Sequence, residues 1–329
     1  MEHMKLTFVN VGYGEAMVLE CPDPACRSGR FVMVIDGGGN EAAEFADRST
    51  GRIPMAEYLR GRALDHIDVM VSTHIHEDHL CGLLPLMRDW TPREFWQTLP
   101  EEFYSSTRLL EVPEGITPSQ NKFLRALNDY RTLCTLLRER GSALRTVVAP
   151  RVLEPCRGLS VQILAPSVPQ AEELETLLRG VYGAAPGEFW SRLDRLDARM
   201  NNFSLILRLD YQGMRLLLPG DTNCLGYRDL KAADLRAHLF KVGHHGQRDG
   251  ASREQLQMIA PQAVVCCASS DRRYNSADPE VLTMAAEGGA RLYFSDCPPV
   301  PGTRAPLPPH QALEFIIGQD GLDGRYLTL

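Results

Sequence analysis

Residues 5–11 alternate between apolar and polar, and 15–21 and 31–35 are short, mainly apolar runs; together they predict three strands joined by glycine-rich turns. Residues 67–72 read as a further strand, buried in a sheet. A helix is expected near 55–62 and an apolar one over 80–87, while 89–118 is crowded with Pro, Trp, Phe and Glu and reads as irregular with one strand near 109–112. Phe123, Leu124, Leu127, Leu133, Leu136 and Leu137 recur at helical spacing, so 121–140 is a helix and Gly141 its C-terminal stop. Strands follow at 145–148 and 160–164, then two helices within 171–196 broken at 183–187. A hairpin over 203–210 and 214–218 turns across Tyr211-Gln212-Gly213. In the last third, helices near 227–236, 253–259 and 279–287 alternate with strands at 238–242, 263–268 and 291–294. A proline-rich loop at 300–309 and a strand at 311–317 complete the pattern. There is no repeat and no linker-like shift in composition. Two halves, each running strands and then helices, predict an α/β chain with two sheets packed face to face and helices outside.

Composition narrows the class of protein. Hydrophobic residues make up 44% and charged residues 23% of the 329, so the chain can build a large core. No stretch approaches the ~18 consecutive apolar residues of a membrane span, and the first residues lack a signal-peptide pattern, so a soluble cytoplasmic protein is expected. With 35 Lys+Arg against 42 Asp+Glu the net charge is −7, which argues against general coating of nucleic acid but permits a local basic groove. Arg248, Arg253, Arg272 and Arg273 are candidates for such a patch. Nine scattered cysteines do not make a disulfide scaffold, and Cys21 and Cys26 lack the second ligand pair of a zinc site. Gly37-Gly38-Gly39 is a tight turn and, without a following lysine, poor evidence for a phosphate cradle.

The chemistry concentrates in Ser72-Thr73-His74-Ile75-His76-Glu77-Asp78-His79, which holds three of the nine histidines directly after a predicted strand. In an extended loop, residues two apart point the same way, so His74 and His76 can grip one metal ion. Asp78 and His79 stand where the chain turns into a helix and can face a second ion. Zn²⁺ or the harder Mn²⁺ suits such a mixture of imidazole and carboxylate. Asp221 ends the strand over 214–218, where it is either a ligand from a distant strand or a helix cap. His244 and His245 follow the strand over 238–242. Five of the nine histidines thus lie in two clusters at predicted strand ends.

These residues resemble the metallo-β-lactamase-fold hydrolases, whose H-x-H-x-D-H signature matches His74 to His79 and whose bridging aspartate motif matches Gly220-Asp221. Within that superfamily the chain is most similar to the hydrolase domain of the ComEC DNA-internalisation proteins. Asn10-Val11-Gly12-Tyr13-Gly14-Glu15-Ala16, Ile35-Asp36-Gly37-Gly38, Asn201-Asn202-Phe203-Ser204-Leu205 and Lys241 to Gly246 follow that family's motifs in order. The resemblance implies an αββα sandwich as a single domain over 1–329. It implies two divalent ions, Zn²⁺ or Mn²⁺, held by His74, His76, Asp78, His79, Asp221 and His244. Asp78 would orient the attacking water and His245 would hydrogen-bond the developing phosphorane. It further implies a metal-dependent hydrolase of phosphodiesters, most simply a nuclease, acting on nucleic acid or a nucleotide-type substrate. The rival expectations are hydrolysis of a cyclic nucleotide, thioester or lactam, or a decayed binding module. Three departures stand out. Asn201 or Asn202 stands where many members supply another histidine, so the first metal position is expected to be poor in ligands. Asn275-Ser276-Ala277-Asp278-Pro279 replaces a stretch with two histidines, leaving Asp278 as a possible substitute. An insertion at about 169–197 is expected to form a lid or a surface for a protein partner or a second copy.

Overall fold

In the computed structural model, which describes residues 3–299 and 307–328, the chain opens with an antiparallel meander. Its strands are β1 (Met4–Val9), β2 (Ala16–Pro22) and β3 (Arg30–Gly37). Three parallel strands extend it: β4 (Val69–Val71), β5 (Glu94–Gln97) and β6 (Ala143–Thr146). The crossovers carry α1 (Met55–Gly61), α2 (Glu77–Leu80) and α3 (Pro118–Glu139). The second half repeats this plan. β7 (Arg151–Cys156), β8 (Leu159–Ala165), β9 (Ile206–Tyr211) and β10 (Met214–Leu218) are antiparallel. β11 (Leu239–Lys241), β12 (Ala263–Cys266) and β13 (Arg291–Phe294) then continue in parallel. Between β8 and β9 the chain inserts α4 (Val168–Tyr182) and α5 (Phe189–Met200), and α6 (Ala232–Leu235), α7 (Arg253–Ile259) and α8 (Pro279–Glu287) serve the parallel strands. Finally β14 (Ala312–Gly318) returns to pair with β1, and β15 (Gly321–Leu327) closes that edge.

The result is an eight-stranded sheet, β15-β14-β1-β2-β3-β4-β5-β6, on a seven-stranded sheet, β13-β12-β11-β10-β9-β8-β7. Leu6, Phe8, Leu19 and Met33 of the first meet Leu207, Leu209, Leu216 and Val265 of the second. The outward residues of the same strands, such as Val9, Val18 and Val34, lie under α1, α3, α4 and α5, and Leu217, Phe240 and Val264 lie under the helices of the second half. Both faces of each sheet are covered, so central strands are apolar nearly throughout. This is the αββα sandwich expected from the sequence. Among the described residues no helix is long and apolar enough to cross a membrane.

Local departures have local causes. The helix expected over 80–87 is one α turn followed by a 3₁₀ segment, Cys81–Arg88, because Pro85 offers no backbone donor. No strand forms at 109–112: the Leu110 backbone N–H donates to Asn128 Oδ1 and its carbonyl accepts from Asn128 Nδ2, so α3 takes the bonds that a sheet would have used. The helix expected over 227–236 is reduced to a 3₁₀ turn at Cys224–Tyr227 and the four residues of α6. The loop expected at 300–309 lies mostly outside the described residues. In the segment expected to be an insertion, Leu174, Leu178, Leu193, Leu196 and Met200 are buried with Phe123, Leu124 and Leu127 of α3, so its apolar face belongs to the core.

Candidate metal centre

Four sheet segments deliver their C-terminal ends to one place: β3 brings Asp36, β4 the segment His74 to His79, β10 Asp221 and β11 the pair His244-His245. Carboxyl ends of parallel strands are where open α/β sheets collect their ligands. The strand and the helical turn meet through bare backbone. A Cβ on Gly82 would stand 1.9 Å from the Gly37 carbonyl oxygen, and the Gly82 N–H donates to Gly38 O at 2.7 Å. Gly37 and Gly82 therefore serve close packing of the strand that carries Asp36 against the histidine segment.

Each imidazole is anchored by its outer nitrogen. His79 Nδ1 donates to Asp36 Oδ2 at 2.8 Å. Thr73 spends its hydroxyl hydrogen on the same oxygen at 2.6 Å, so its Oγ1 accepts from His74 Nδ1 at 3.1 Å. His76 Nε2 donates to Asp197 Oδ1 at 3.0 Å, and His245 Nδ1 donates to the Cys267 carbonyl at 3.0 Å. Carboxylates and carbonyls only accept, so the proton of each neutral ring is fixed outside and the lone pair faces inward. Inside, His74 Nε2 and His76 Nδ1 are 3.1 Å apart, and His79 Nε2 and His245 Nε2 are 3.4 Å apart. Asp221 Oδ2 lies 3.2 Å from His79 Nε2 and 2.9 Å from His245 Nε2, with Asp78 Oδ2 3.0 Å from the latter. Ligand atoms of Asp78, His79, Asp221 and His245 all fall within 4.8 Å of one another, and all four residues are buried.

Facing lone pairs repel unless a cation or a proton lies between them. Tetrahedral zinc with bonds of about 2.0–2.2 Å separates its ligand atoms by about 3.3–3.6 Å, close to the spacings seen here. The donor set therefore fits a divalent ion at Asp78, His79, Asp221 and His245, next to a two-imidazole position at His74 and His76. Without an ion, protons fill the gap. Burial lowers the basicity of His79, but Asp221, Asp78 and Asp36 outweigh it and raise its pKa well above the usual imidazole value. In His245 burial is likewise overcome, chiefly by Asp221, and the pKa reaches about 9. His74 is pushed down by burial and by the neighbouring imidazoles. Burial opposes ionisation of Asp221, yet His245, His79 and Lys241 hold its carboxyl far below the ordinary range.

The structure redistributes several expected roles. His244, expected among the ligands, turns away: its Nδ1 donates to Asp249 Oδ1 at 2.8 Å and its Nε2 accepts from Asn201 Nδ2 at 3.1 Å. His245, expected to touch substrate, is fully buried and completes the inner cluster instead. Both residues have positive φ, 47° and 52°, and this tight turn after β11 exchanges the directions read from the linear motif. Asp221 is no helix cap, since its side chain meets His79, His245 and Lys241. Asp278 does cap a helix, accepting from the Glu280 N–H at 2.8 Å at the start of α8, and lies outside the cluster. Asn201 and Asn202 each keep a buried Oδ1 without a hydrogen-bond partner. The arginine patch is largely neutralised in ion pairs, Arg248 with Glu280, Arg253 with Glu287 and Arg273 with Glu44 and Asp271, while Arg272 bonds the Ala277 carbonyl.

Asp36, Thr73, Asp197 and Lys241 join the site beyond the residues expected there. Asp36, Thr73 and Lys241 sit within motif segments of the sequence, whereas Asp197 lies 121 residues from His76 and carries no local signal. Lys241 Nζ is buried, bonded to the Gly220 carbonyl at 2.8 Å and to Asp221 Oδ1 at 3.3 Å, and ion-paired with Glu15. Those two carboxylates hold it charged against burial. A cavity of about 670 Å³ opens over the cluster, with Tyr13, Lys122, Asp194, Asp197, Asn201 and His244 in its wall. The Tyr13 ring packs on His245 at 4.6 Å and on Tyr274 at 5.3 Å.

The metallo-beta-lactamase superfamily model matches residues 23–116. "ComE operon protein 3" of Bacillus subtilis (strain 168) is 22% identical over 303 residues, 89% of this chain, and the chain spans about a third (32%) of that relative's length. Among solved structures, Zn²⁺-bound PqqB from Methylobacterium extorquens aligns at TM-score 0.44 and 12% identity, covering 86% of this chain and 85% of that one. A diphosphatase from the PhnP family aligns at TM-score 0.38 and 10% identity, covering 80% and 85%.

Proposed function

We infer that this chain, which has the αββα sandwich of the metallo-β-lactamase superfamily and resembles ComE operon protein 3 along most of its length, is a metal-dependent hydrolase of phosphodiester bonds. One observation carries the reading: four imidazoles whose inner lone pairs, fixed by Asp36, Thr73, Asp197 and the Cys267 carbonyl, converge with Asp78 and Asp221 below an open cavity. A divalent ion bound there supplies Lewis acidity and makes a neighbouring water acidic. His74 and His76 would hold one ion, Asp78, His79 and His245 a second, and Asp221 would stand between them. Zn²⁺ suits the imidazoles and Mn²⁺ the carboxylates.

The other residues act through position. Asp36 orients His79 directly and His74 through the Thr73 hydroxyl, so one buried carboxylate sets two ligands. Lys241 engages Asp221 Oδ1, leaving Oδ2 to face the imidazoles. Asn201 and His244 share a hydrogen bond in the cavity wall and would meet the substrate, as would Tyr13, whose phenol burial and the Asp78 and Asp221 carboxylates keep protonated. The resemblance to the ComEC hydrolase domain favours a nucleic-acid or nucleotide substrate.

A specific observation favours a compact member of that class over long duplex. The wall carries Glu77, Asp194 and Asp197 against Lys122, which is itself paired with Glu77 at 2.8 Å. A groove for a polyanion carries a basic stripe, and a cavity of this size suits a small ligand. The deciding experiment incubates protein loaded with Mn²⁺ or Zn²⁺ with single- and double-stranded DNA and RNA, cyclic nucleotides and bis(p-nitrophenyl) phosphate. Cleavage of diesters that chelation abolishes is the expected outcome. Turnover confined to a lactam, lactone or thioester would overturn the phosphodiester reading.

A further inference from the structure

Helix α5 reaches the metal centre through Asp197, and the geometry points to that residue as the one that positions His76. This inference rests on the metal-centre reading above. A neutral imidazole carries one ring proton, and the nitrogen that holds it decides which lone pair is free to ligate. His76 Nε2 lies 3.0 Å from Asp197 Oδ1, so that nitrogen keeps the proton and Nδ1 is aimed at His74 Nε2, 3.1 Å away.

The same carboxylate is held from its other side. Asp197 Oδ2 accepts from Ser119 Oγ at 2.7 Å, and Asp194, three residues earlier on the same face of α5, accepts from Gln120 Nε2 at 2.8 Å. Ser119 and Gln120 stand in the first turn of α3, whose N-terminus is closed by a Thr117–Gln120 capping box. Behind these polar contacts Leu193, Leu196 and Met200 anchor α5 in the outer core. His79 and His245 are oriented differently, by Asp36 at the end of β3 and by the Cys267 carbonyl just after β12. The two-imidazole position therefore depends on the docking of the inserted helix pair, and the four-ligand position does not. Removing Asp197 affects one ion and spares the other.

The test is a Zn²⁺ titration, in competition with a chromophoric chelator, of the metal-free full chain as wild type, D197A and D197N, with Co²⁺ absorption recorded on each. Wild type binds two ions. D197A weakens one of them by about 10–100-fold, the usual loss on removing the partner of a ligating histidine, and leaves the other unchanged. D197N recovers most of that loss, because its amide oxygen accepts from His76 Nε2 and its NH₂ donates to Ser119 Oγ. The Co²⁺ band of one ion fades in D197A and returns in D197N. Thermal unfolding in chelator stays cooperative in both variants. Two tight ions in D197A, or equal losses in D197A and D197N, overturn the inference. Wild type that binds no metal overturns it together with the metal centre. Loss of one ion in D197A from a protein that cleaves no phosphodiester upholds Asp197 and overturns only the substrate reading.

Discussion

Asp221 shows how one side chain separates chemistry from scaffolding. Its Oδ2 faces His79 and His245 and its Oδ1 faces Lys241, so it holds charge from three directions. Asp221→Asn keeps the volume and removes that charge. The expected result is loss of metal and a fall in turnover by several orders of magnitude, with circular dichroism unchanged. Retained metal with full activity would return Asp221 to a structural role. A second expectation concerns protons. His245 and His79 have pKa values raised above the unfolded imidazole value, His245 to about 9. Their contribution to stability is complete below about pH 6.5 and is lost as pH rises through the folded values. The melting temperature of chelator-treated protein should therefore fall between pH 7 and 9.5, while metal-loaded protein, whose ligands are already deprotonated, should not follow it. A flat profile for the metal-free protein would contradict the proton-filled cluster.

At the scale of elements, the junction between β3 and the turn after α2 is the most constrained contact near the site. The Gly82 Cβ position falls on the Gly37 carbonyl, so Gly82→Ala must push the strand and the histidine segment apart. Overpacking of this kind costs about 1–3 kcal/mol, and the shift also displaces Asp36 from His79 and Thr73. Chemical denaturation should show the loss of stability, and metal titration should show weaker binding by the same variant. Wild-type metal affinity in a destabilised Gly82→Ala protein would separate the packing from the site. Elsewhere the elements follow burial more than propensity. The segment 109–112 has strand composition but yields its backbone to Asn128, and the helix pair α4–α5 spends its apolar face on α3.

Over the whole molecule, the two halves are stitched together beyond the shared core by a buried polar network. Arg52, from the first half, donates from Nε to Asp296 Oδ2 at 3.1 Å, from Nη1 to Glu44 Oε1 at 2.9 Å and from Nη2 to Ser270 Oγ at 2.6 Å. Asp296 is fully buried just beyond β13 and also accepts from Asn10 Nδ2 and the Ser270 N–H. Arg52→Met leaves that carboxylate short of its main counter-charge, and a loss of about 3–5 kcal/mol in urea unfolding is expected. A loss no greater than that of an exposed pair such as Arg48–Glu57 would show that the network is dispensable.

The periodicity of the chain determined by itself that two strand-then-helix halves would pack as layered sheets, because that period reflects which faces must be buried. Motif residues likewise marked the strand ends where His74 to His79, Asp221 and the His244-His245 pair would collect. Tertiary structure alone decided the directions. Whether His244 or His245 faces Asp221 depends on a turn with positive φ at both residues, which spacing along a chain does not encode. The anchoring of His76 by Asp197 depends on how α5 docks 121 residues downstream. The pairing of Arg248, Arg253 and Arg273 with nearby carboxylates, which removes an apparent basic patch, is likewise a matter of distance in space. Sequence carries burial preference and residue chemistry at short range, whereas ligand orientation and charge compensation are set by long-range packing.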